Sequence, residues 1–437
     1  MSVTAFSRLG TANAYDNTLA NLTTRQNNLA NLQESLSSGK KITTPSDDPT
    51  GAAQAERALN RLARIATDQR ALETQRNAIS TAESTLGDIT DAMQQVRELV
   101  VSAGNASFSA ADRKTVALQI TGLRERILTL SNAQDSNGQP LFAALGSALK
   151  PIAGPASTAP DYTFDGLPGS AAAGTYAIAS TLDGESAFML QPVRDAVYNV
   201  KTSNPALSTD PVSKASPPQP NGASYSIGIT NLVGNTVTYS VTETLTASTP
   251  PATPNTTTTT TTPNTTTTTT ITPTITTTTT TTTGLTAPWS AATGFTATGM
   301  QGLSLQVKGT PAAGDTISVD PNTSVFATID KAVSDIGSAT SSGAASQAVT
   351  QALHNIDISM ARISAIRGQA GDLLNRADSI TATNDKRNIE QEANRSRAED
   401  IDMMQGISDF QKQQTGYQAA LQSYAQIQKL SLFNFIS

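Results

Sequence analysis

Downstream of Pro49 an apolar residue recurs at every seventh position: Ile65, Leu72, Ile79, Leu86, Met93 and Val100. Ala82, Ile89 and Val96 fall three residues after members of that series. Two rows at this spacing lie along one side of an α-helix and predict a long, well-buried one. Its start is marked by Pro45-Ser-Asp-Asp-Pro49. Asp48 can accept hydrogen bonds from the free amides of the first turn, and Pro49 suits the first helical position, where no donor is needed. Gly104-Asn105 marks the end. Ser109-Ala-Ala-Asp112 then offers a capping box. Behind it Val116, Ile120, Leu123, Ile127 and Leu130 alternate four and three apart, predicting a helix that runs to about Asn137-Gly138. Val349, Leu353, Ile356, Met360, Ile363, Ala370 and Leu374 repeat the pattern far downstream. Three such stripes predict an antiparallel bundle.

The middle of the chain follows another rule. Of 21 prolines, 18 lie between Pro151 and Pro321, and residues 146–345 carry only 17 of the 64 charged side chains. Proline costs about 3 kcal/mol inside a helix, so this stretch is expected to be β or irregular. Tyr225, Ile227 and Ile229, then Val237, Tyr239 and Val241, alternate with small polar residues around Gly234-Asn235, which is a hairpin signal. Leu303, Leu305 and Val307, followed by Ile317 and Val319, suggest a second strand pair. Between them lie three threonine runs, Thr256–Thr262, Thr265–Thr270 and Thr276–Thr283. Threonine favours extended backbone, but a tract without larger side chains has little to bury against its ordering entropy, so a solvated stalk is expected there.

The two ends of the chain look like partners. Tyr15, Leu22, Leu29 and Leu36 are seven apart, yet Gln26 and Gln33 occupy the neighbouring row. Such a helix needs another helix to cover it. Met403, Ile407, Phe410, Gln414, Tyr417, Leu421 and Tyr424 form one seam near the other end, followed by Leu430-Ser-Leu-Phe-Asn-Phe-Ile436. Chain ends fray in water, and exposed Leu432, Phe433 and Phe435 would invite association. The assembly surface is therefore expected to use Leu22, Leu29, Leu36, Phe410, Tyr417, Leu421, Tyr424, Leu432, Phe433 and Phe435.

Composition removes most chemistry. The 437 residues contain no cysteine and one histidine, His354, so thiolate metal sites, disulfides, thiol nucleophiles and two-histidine metal sites are excluded. Thirty-five acids against 29 bases give a net charge of −6, which argues against nucleic acid as a partner. No apolar run is long enough for a membrane span, and no secretory signal peptide is expected at Met1-Ser-Val-Thr-Ala-Phe-Ser-Arg. Asp47-Asp48 could be imagined as a paired-carboxylate site, but helix capping is favoured. His354 suits a solvated or interfacial position better than catalysis. Trp289 fits local packing and surface anchoring equally. Lys40-Lys41 is either a solvated pair or a neutraliser of acids on a neighbouring subunit. Asn255-Thr-Thr and Asn264-Thr-Thr match an N-glycosylation sequon, a signal of little weight here. No catalytic residue, cofactor or metal is expected.

Several motifs carry a resemblance. Leu36-Ser-Ser-Gly-Lys-Lys-Ile42, Asp47-Asp48 before an alanine-rich helix, and Leu130-Ser-Asn-Ala-Gln-Asp-Ser-Asn-Gly138 resemble the frame of the bacterial flagellin superfamily. Thr44-Pro-Ser-Asp-Asp-Pro49, Pro140-Leu-Phe142 and Leu430-Ser-Leu-Phe-Asn-Phe435 resemble its hook–filament junction branch. Tyr162-Thr-Phe-Asp-Gly166, Leu182-Asp-Gly-Glu-Ser-Ala-Phe-Met189, Gly314-Asp-Thr-Ile-Ser-Val319 and Ser324-Val-Phe326 resemble pieces of that branch's outer domain. The commonest start of the family differs from Met1-Ser-Val-Thr-Ala-Phe6, and the threonine tract has no counterpart in it.

The resemblance implies a mainly α protein with a β-rich insertion, its two ends forming coiled-coil and bundle layers around an outer domain. The layers would be 1–44 with 395–437 for assembly, 45–145 with 340–394 for the bundle, and 146–339 for the insertion. It implies a structural, non-enzymatic role in a homo-oligomeric ring between hook-associated protein 1 and the flagellin filament. It further implies export through the flagellar type III channel with a dedicated chaperone, and an extracellular place on the flagellum. Three rivals stay open: a filament-forming flagellin, a threonine-rich adhesin, and a hydrolase within 146–345.

Overall fold

A computed structural model of the chain describes residues 3–157, 161–169, 174–215, 217–248, 256–271 and 275–436; within these, side chains are described over 16–246, 257–269 and 276–426. The fold is helical at both ends with a central β-rich insertion. Two compact units form, Met1–Ala71 with Ser379–Ser437, and Leu72–Asp378. Helix α1 is Val3–Ser38, α2 is Pro49–Ala103 and α3 is Ala110–Ser131. After the insertion come α6 (Val325–Ser338), α7 (Ser342–Glu399) and α8 (Met403–Ile436); the short helices α4 (Gly184–Phe188) and α5 (Pro192–Asp195) lie inside it. Helices α2 and α7 each contribute to both units.

In the larger unit the predicted heptads sit where burial demands. Ile79, Ala82, Leu86, Ile89, Met93, Val96 and Val100 of α2 are all fully buried. On α7, Ile356, Ile363 and Ala370 are buried and Leu353, Met360 and Leu374 half-buried. Antiparallel α2 and α7 are joined by Arg76–Asp378 at 3.1 Å, Arg367–Glu83 at 2.7 Å and Arg97–Asp357 at 2.8 Å. Helix α3 opens on the expected capping box, Ser109 with Asp112, and packs against α6. It stops at Ser131, short of the expected Asn137-Gly138. Asn132 turns its side-chain amide to the carbonyls of Leu128 and Ile152, both at 3.0 Å, while Asp135 accepts the amides of Asn137 and Gln139 at 2.8 Å. These side-chain bonds take over from the helical ladder.

Four of the recognised motifs meet in one aromatic cluster. Phe142 packs edge-on to Phe188 at 5.4 Å, Phe188 lies 6.0 Å from Phe326, and Phe326 lies 5.1 Å from Tyr162. All four rings are fully buried. Tyr162 donates its hydroxyl to Asp330 on α6 at 2.5 Å, and Asp330 also pairs with Arg124 on α3 at 3.0 Å. Burial, with the Asp330 bond second, pushes the Tyr162 phenol above its ordinary range.

The insertion is built from β1 (Ile152–Ala153), β2 (Thr163–Phe164), β3 (Tyr198–Thr202), β4 (Ser208–Thr209) and β5 (Ser213–Lys214), then β6 (Ser224–Val233), β7 (Thr236–Ser248), β8 (Thr256–Thr262) and β9 (Thr265–Ile271). Last come β10 (Ile275–Pro288), β11 (Phe295–Met300), β12 (Leu303–Lys308) and β13 (Thr316–Pro321). A seven-stranded sheet has the order β3-β13-β6-β7-β10-β9-β8, and a second sheet runs β11-β12-β4 with β5 also on β12. Hairpin β6–β7 turns at Gly234-Asn235 and pairs Ile227 with Val241 and Ile229 with Tyr239. Tyr225, Ile227, Tyr239, Phe295, Leu305 and Ile317 supply the shared core. Trp289 packs against this core and donates its indole N–H to the Gly309 carbonyl at 3.0 Å, which makes it a packing residue.

Two expectations for the insertion need correction. Strands β12 and β13 exist but do not pair: β12 bonds to β11, β4 and β5, and β13 to β3 and β6. The link between them crosses from one sheet to the other, with Gly309 and Gly314 both at positive φ. The threonine tract is not a stalk separate from the sheet. Its runs form β8, β9 and most of β10, registered on β7 over Thr282↔Val241 to Ile275↔Ser248. The missing stabilisation comes from ladder bonds to an already ordered strand and from cross-strand hydroxyl contacts such as Thr242–Thr281 at 3.1 Å.

Candidate assembly surface

The smaller unit holds the expected assembly residues. Its first helix, α1, ends where Gly39 takes a left-handed φ of 73°, the common way to leave a helix. The chain then meets the link between α7 and α8. Lys41 donates its amide to the Glu399 carbonyl at 2.8 Å, Ile401 donates to the Gly39 carbonyl at 3.0 Å, and the Lys40 ammonium pairs with the Glu399 carboxylate. Lys40 thus finds its acid within its own chain. Asp402 caps α8, accepting from Met404 at 3.0 Å and Gln405 at 3.2 Å. The Asp402…Gln405 spacing is a capping signal legible in the sequence, additional to those read above.

Helices α1 and α8 pack antiparallel. Gly406 faces Leu36, whose Cδ2 lies 2.9 Å from where a Cβ on Gly406 would sit, and Gly416 faces Arg25, with Nη1 at 2.7 Å from the same position. Two glycines ten residues apart let the helices approach along this seam. Leu22 is 8% exposed, while Leu29, Leu36, Phe410, Tyr417 and Tyr424 are half-buried. Leu421 points out, 43% exposed, as do Leu19, Met403, Met404 and Ile407. The pair therefore brings six of the expected residues onto or near one seam and leaves an apolar fringe beside it. Leu432, Phe433 and Phe435 lie in α8, but their side chains fall outside the described residues.

The loop from Gly39 to Gly51 is closed by its own aspartates. Asp47 accepts from the Thr44 amide at 2.8 Å and from the amide and hydroxyl of Thr43, both at 3.1 Å. Asp48 accepts from the Gly51 amide at 3.0 Å, the Thr50 hydroxyl at 2.8 Å and the Thr50 amide at 3.1 Å, and Pro49 opens α2. The Thr44 amide leads in lowering the Asp47 carboxyl, and the Gly51 amide leads for Asp48. These carboxylates are occupied as acceptors in turns and have no histidine beside them. A Cβ on Gly51 would stand 2.5 Å from Asp48 Oδ2 and 2.6 Å from Ile42 Cδ1, so both side-chain ends would have to shift to admit one. Ile42 is buried under the loop, and Pro45, Pro49 and Leu59 line an open groove of about 470 Å³ beside it.

His354 is half-buried on α7, and burial lowers its pKa against the opposing pull of Asp357. Among the described residues no group of three acidic or histidine side chains could hold a metal ion, and no helix is long and apolar enough to cross a membrane.

Residues 10–146 match the bacterial flagellin N-terminal helical region, and residues 353–436 match the C-terminal helical region. Flagellar hook-associated protein 3 of Salmonella typhimurium is 29% identical over 205 residues, which is 45% of this chain and 58% of that protein. Its Escherichia coli counterpart is 28% identical over 211 residues, 46% and 60% of the two chains. The chain thus matches less than two thirds of the length of these curated relatives. The structure of the flagellar junction protein FlgL from Legionella pneumophila superposes with a TM-score of 0.55 at 19% identity, covering 79% of this chain and all of that one. At this identity the superposition speaks for the fold.

Proposed function

Because the chain belongs to the bacterial flagellin superfamily, we propose that it is a structural junction protein between the flagellar hook and the filament. The α1–α8 pair carries this reading: Leu19, Met404, Ile407 and Leu421 lie exposed beside a half-buried seam. A two-helix surface of this kind is completed head to tail, one of its faces meeting a different face of the helix pair on the next copy, as expected of a homo-oligomeric ring. In that ring 1–44 and 395–437 form the assembly layer, 45–145 and 340–394 the bundle, and 146–339 the outer domain. Asp48 and Pro49 fix the start of the bundle. Hook-associated protein 1 lies on one side and flagellin on the other, and growth of the filament starts from the ring. The chain reaches this extracellular site through the flagellar type III apparatus, held beforehand by an export chaperone on its apolar C-terminal segment. No catalysis, cofactor, nucleic acid or membrane insertion enters the role.

The test is electron microscopy of a deletion strain with immunoblotting of its medium for flagellin. Bare hooks with abundant unpolymerised flagellin outside the cell are expected. Bare hooks with no other flagellin exported would make this chain the filament subunit instead. Full-length filaments would overturn both roles.

A further inference from the structure

The seven-stranded sheet ends on β8, and among the described residues no strand lies against its outer side. Natural sheets guard such edges with charges, prolines, bulges or a covering element. This edge carries none of the first three. Between Glu243 and Lys308 the sequence has no charged residue, Pro263 sits in the turn, and the β8–β9 ladder runs from Thr256↔Ile271 to Thr262↔Thr265 without a bulge. Residues 257–262 are all exposed. We propose that β8 is a docking edge for β8 of a second copy of this chain, running antiparallel so that one sheet continues through both molecules.

The occupant follows from what the edge already accepts. Strand β9, its neighbour on the inner side, is six threonines and an isoleucine. A second β8 offers the same side chains to the outer side and brings no charge with it. Hydroxyl contacts like Thr259–Thr268 at 3.3 Å, Thr267–Thr280 at 3.3 Å and Thr269–Thr278 at 3.5 Å would repeat across the new pair. A two-residue slip places threonine opposite threonine again, so a uniform strand finds a partner without a unique register. Counting from the turn-closing pair Thr262–Thr265, the antiparallel alternation turns the amides of Thr258 and Thr260 towards β9 and those of Thr257, Thr259 and Thr261 outwards. The outward set is what a second copy would engage. Seven residues span roughly 24 Å and bury well under the ~1,200 Å² of a standard stable interface. The contact is therefore weak between free molecules and effective where copies are held side by side.

Hydrogen–deuterium exchange on the full chain tests this directly. Between about 10 μM and about 1 mM protein, the peptide containing 256–262 should gain protection at the three outward amides, each slowing by about tenfold. Thr259→Pro removes the central outward donor while sparing the ladder to β9, and should abolish that concentration dependence. Exchange that is the same at both concentrations overturns the proposal, as does a Thr259→Pro variant that still responds. Protection that grows with concentration only in α1 and α8 also overturns it, and leaves the junction role of the terminal helices standing.

Discussion

Two helices of this chain carry apolar residues at the same seven-residue spacing and bury them to different depths. In α2, Leu72, Ile79, Leu86, Met93 and Val100 are at most 2% exposed. In α1, Leu22 is 8% exposed, and Leu29 and Leu36 are half-buried. Spacing is the same, so spacing does not set burial. The second row does: Ala82, Ile89 and Val96 are fully buried on α2, whereas Gln26 and Gln33 are exposed on α1. An apolar second row lets a helix be covered by several elements of its own chain, whereas a polar one leaves it covered on one side only within that chain. A core helix and an assembly helix differ by that row.

The largest effect should come from the deep side of this contrast. Ile79→Ala removes a fully buried side chain and should cost about 2–5 kcal/mol, read by urea denaturation followed by circular dichroism. Leu29→Ala should cost about 1 kcal/mol, with faster amide exchange confined to α1 and α8. Equal losses from the two variants would mean that α1 is as much a core helix as α2, and the distinction would fail.

A middle-sized effect is expected where the assembly helix meets the core helix in sequence. Gly51→Ala forces a methyl against Asp48 and Ile42 and should cost about 1–3 kcal/mol, seen as faster exchange across residues 39–51. Acid probes the same loop. Both Asp47 and Asp48 have carboxyl pKa values lowered below the ordinary 3.8. Their contribution is therefore complete above that value and is lost as pH falls below it through the folded pKa. Loop protection should hold from neutral pH down to about 4 and then drop, and Asp48→Asn should keep a cap while removing that residue's share of the acid response. A loop that loosens already between pH 7 and 5 would point to a different titrating group.

How far the sequence could be read follows the same physics. Periodicity carried the helices, because long apolar rows are local information: Pro49 opens α2, and Ser109 with Asp112 opens α3. The Gly234-Asn235 turn placed β6 on β7 for the same reason. Partner choice between strands was not local. Nothing in Leu303–Val307 or Ile317–Val319 says that they belong to different sheets. The order of the threonine tract is not legible locally because it depends on β7, an apolar-anchored strand that lends it a ladder. Within the candidate surface the seam residues are legible as a pattern, while Gly406, Gly416 and Glu399 are not, since each matters only through Leu36, Arg25 or Lys40 at the other end of the chain.

The smallest effect sharpens how the α1–α8 pair is held at its closed end. Lys40 is 45% exposed and Glu399 13%, so the pair is neither buried nor freely solvated. Glu399 Oε2 is buried with no hydrogen-bond partner. Taking away Lys40 alone would leave that carboxylate with less compensation, whereas taking away both charges removes the need for it. Lys40→Met should therefore cost about 1 kcal/mol, and Lys40→Met with Glu399→Gln should cost less than the single change. Raised salt should weaken the wild-type α1–α8 pair towards the single variant and leave the double variant unmoved. If the double variant is the worse of the two, the closed end is held by the Lys41 and Ile401 backbone bonds together with a favourable ion pair. The α1–α8 pair would then be tied by charge where Lys40 meets Glu399, with the apolar fringe of Leu19, Met404, Ile407 and Leu421 open to other molecules.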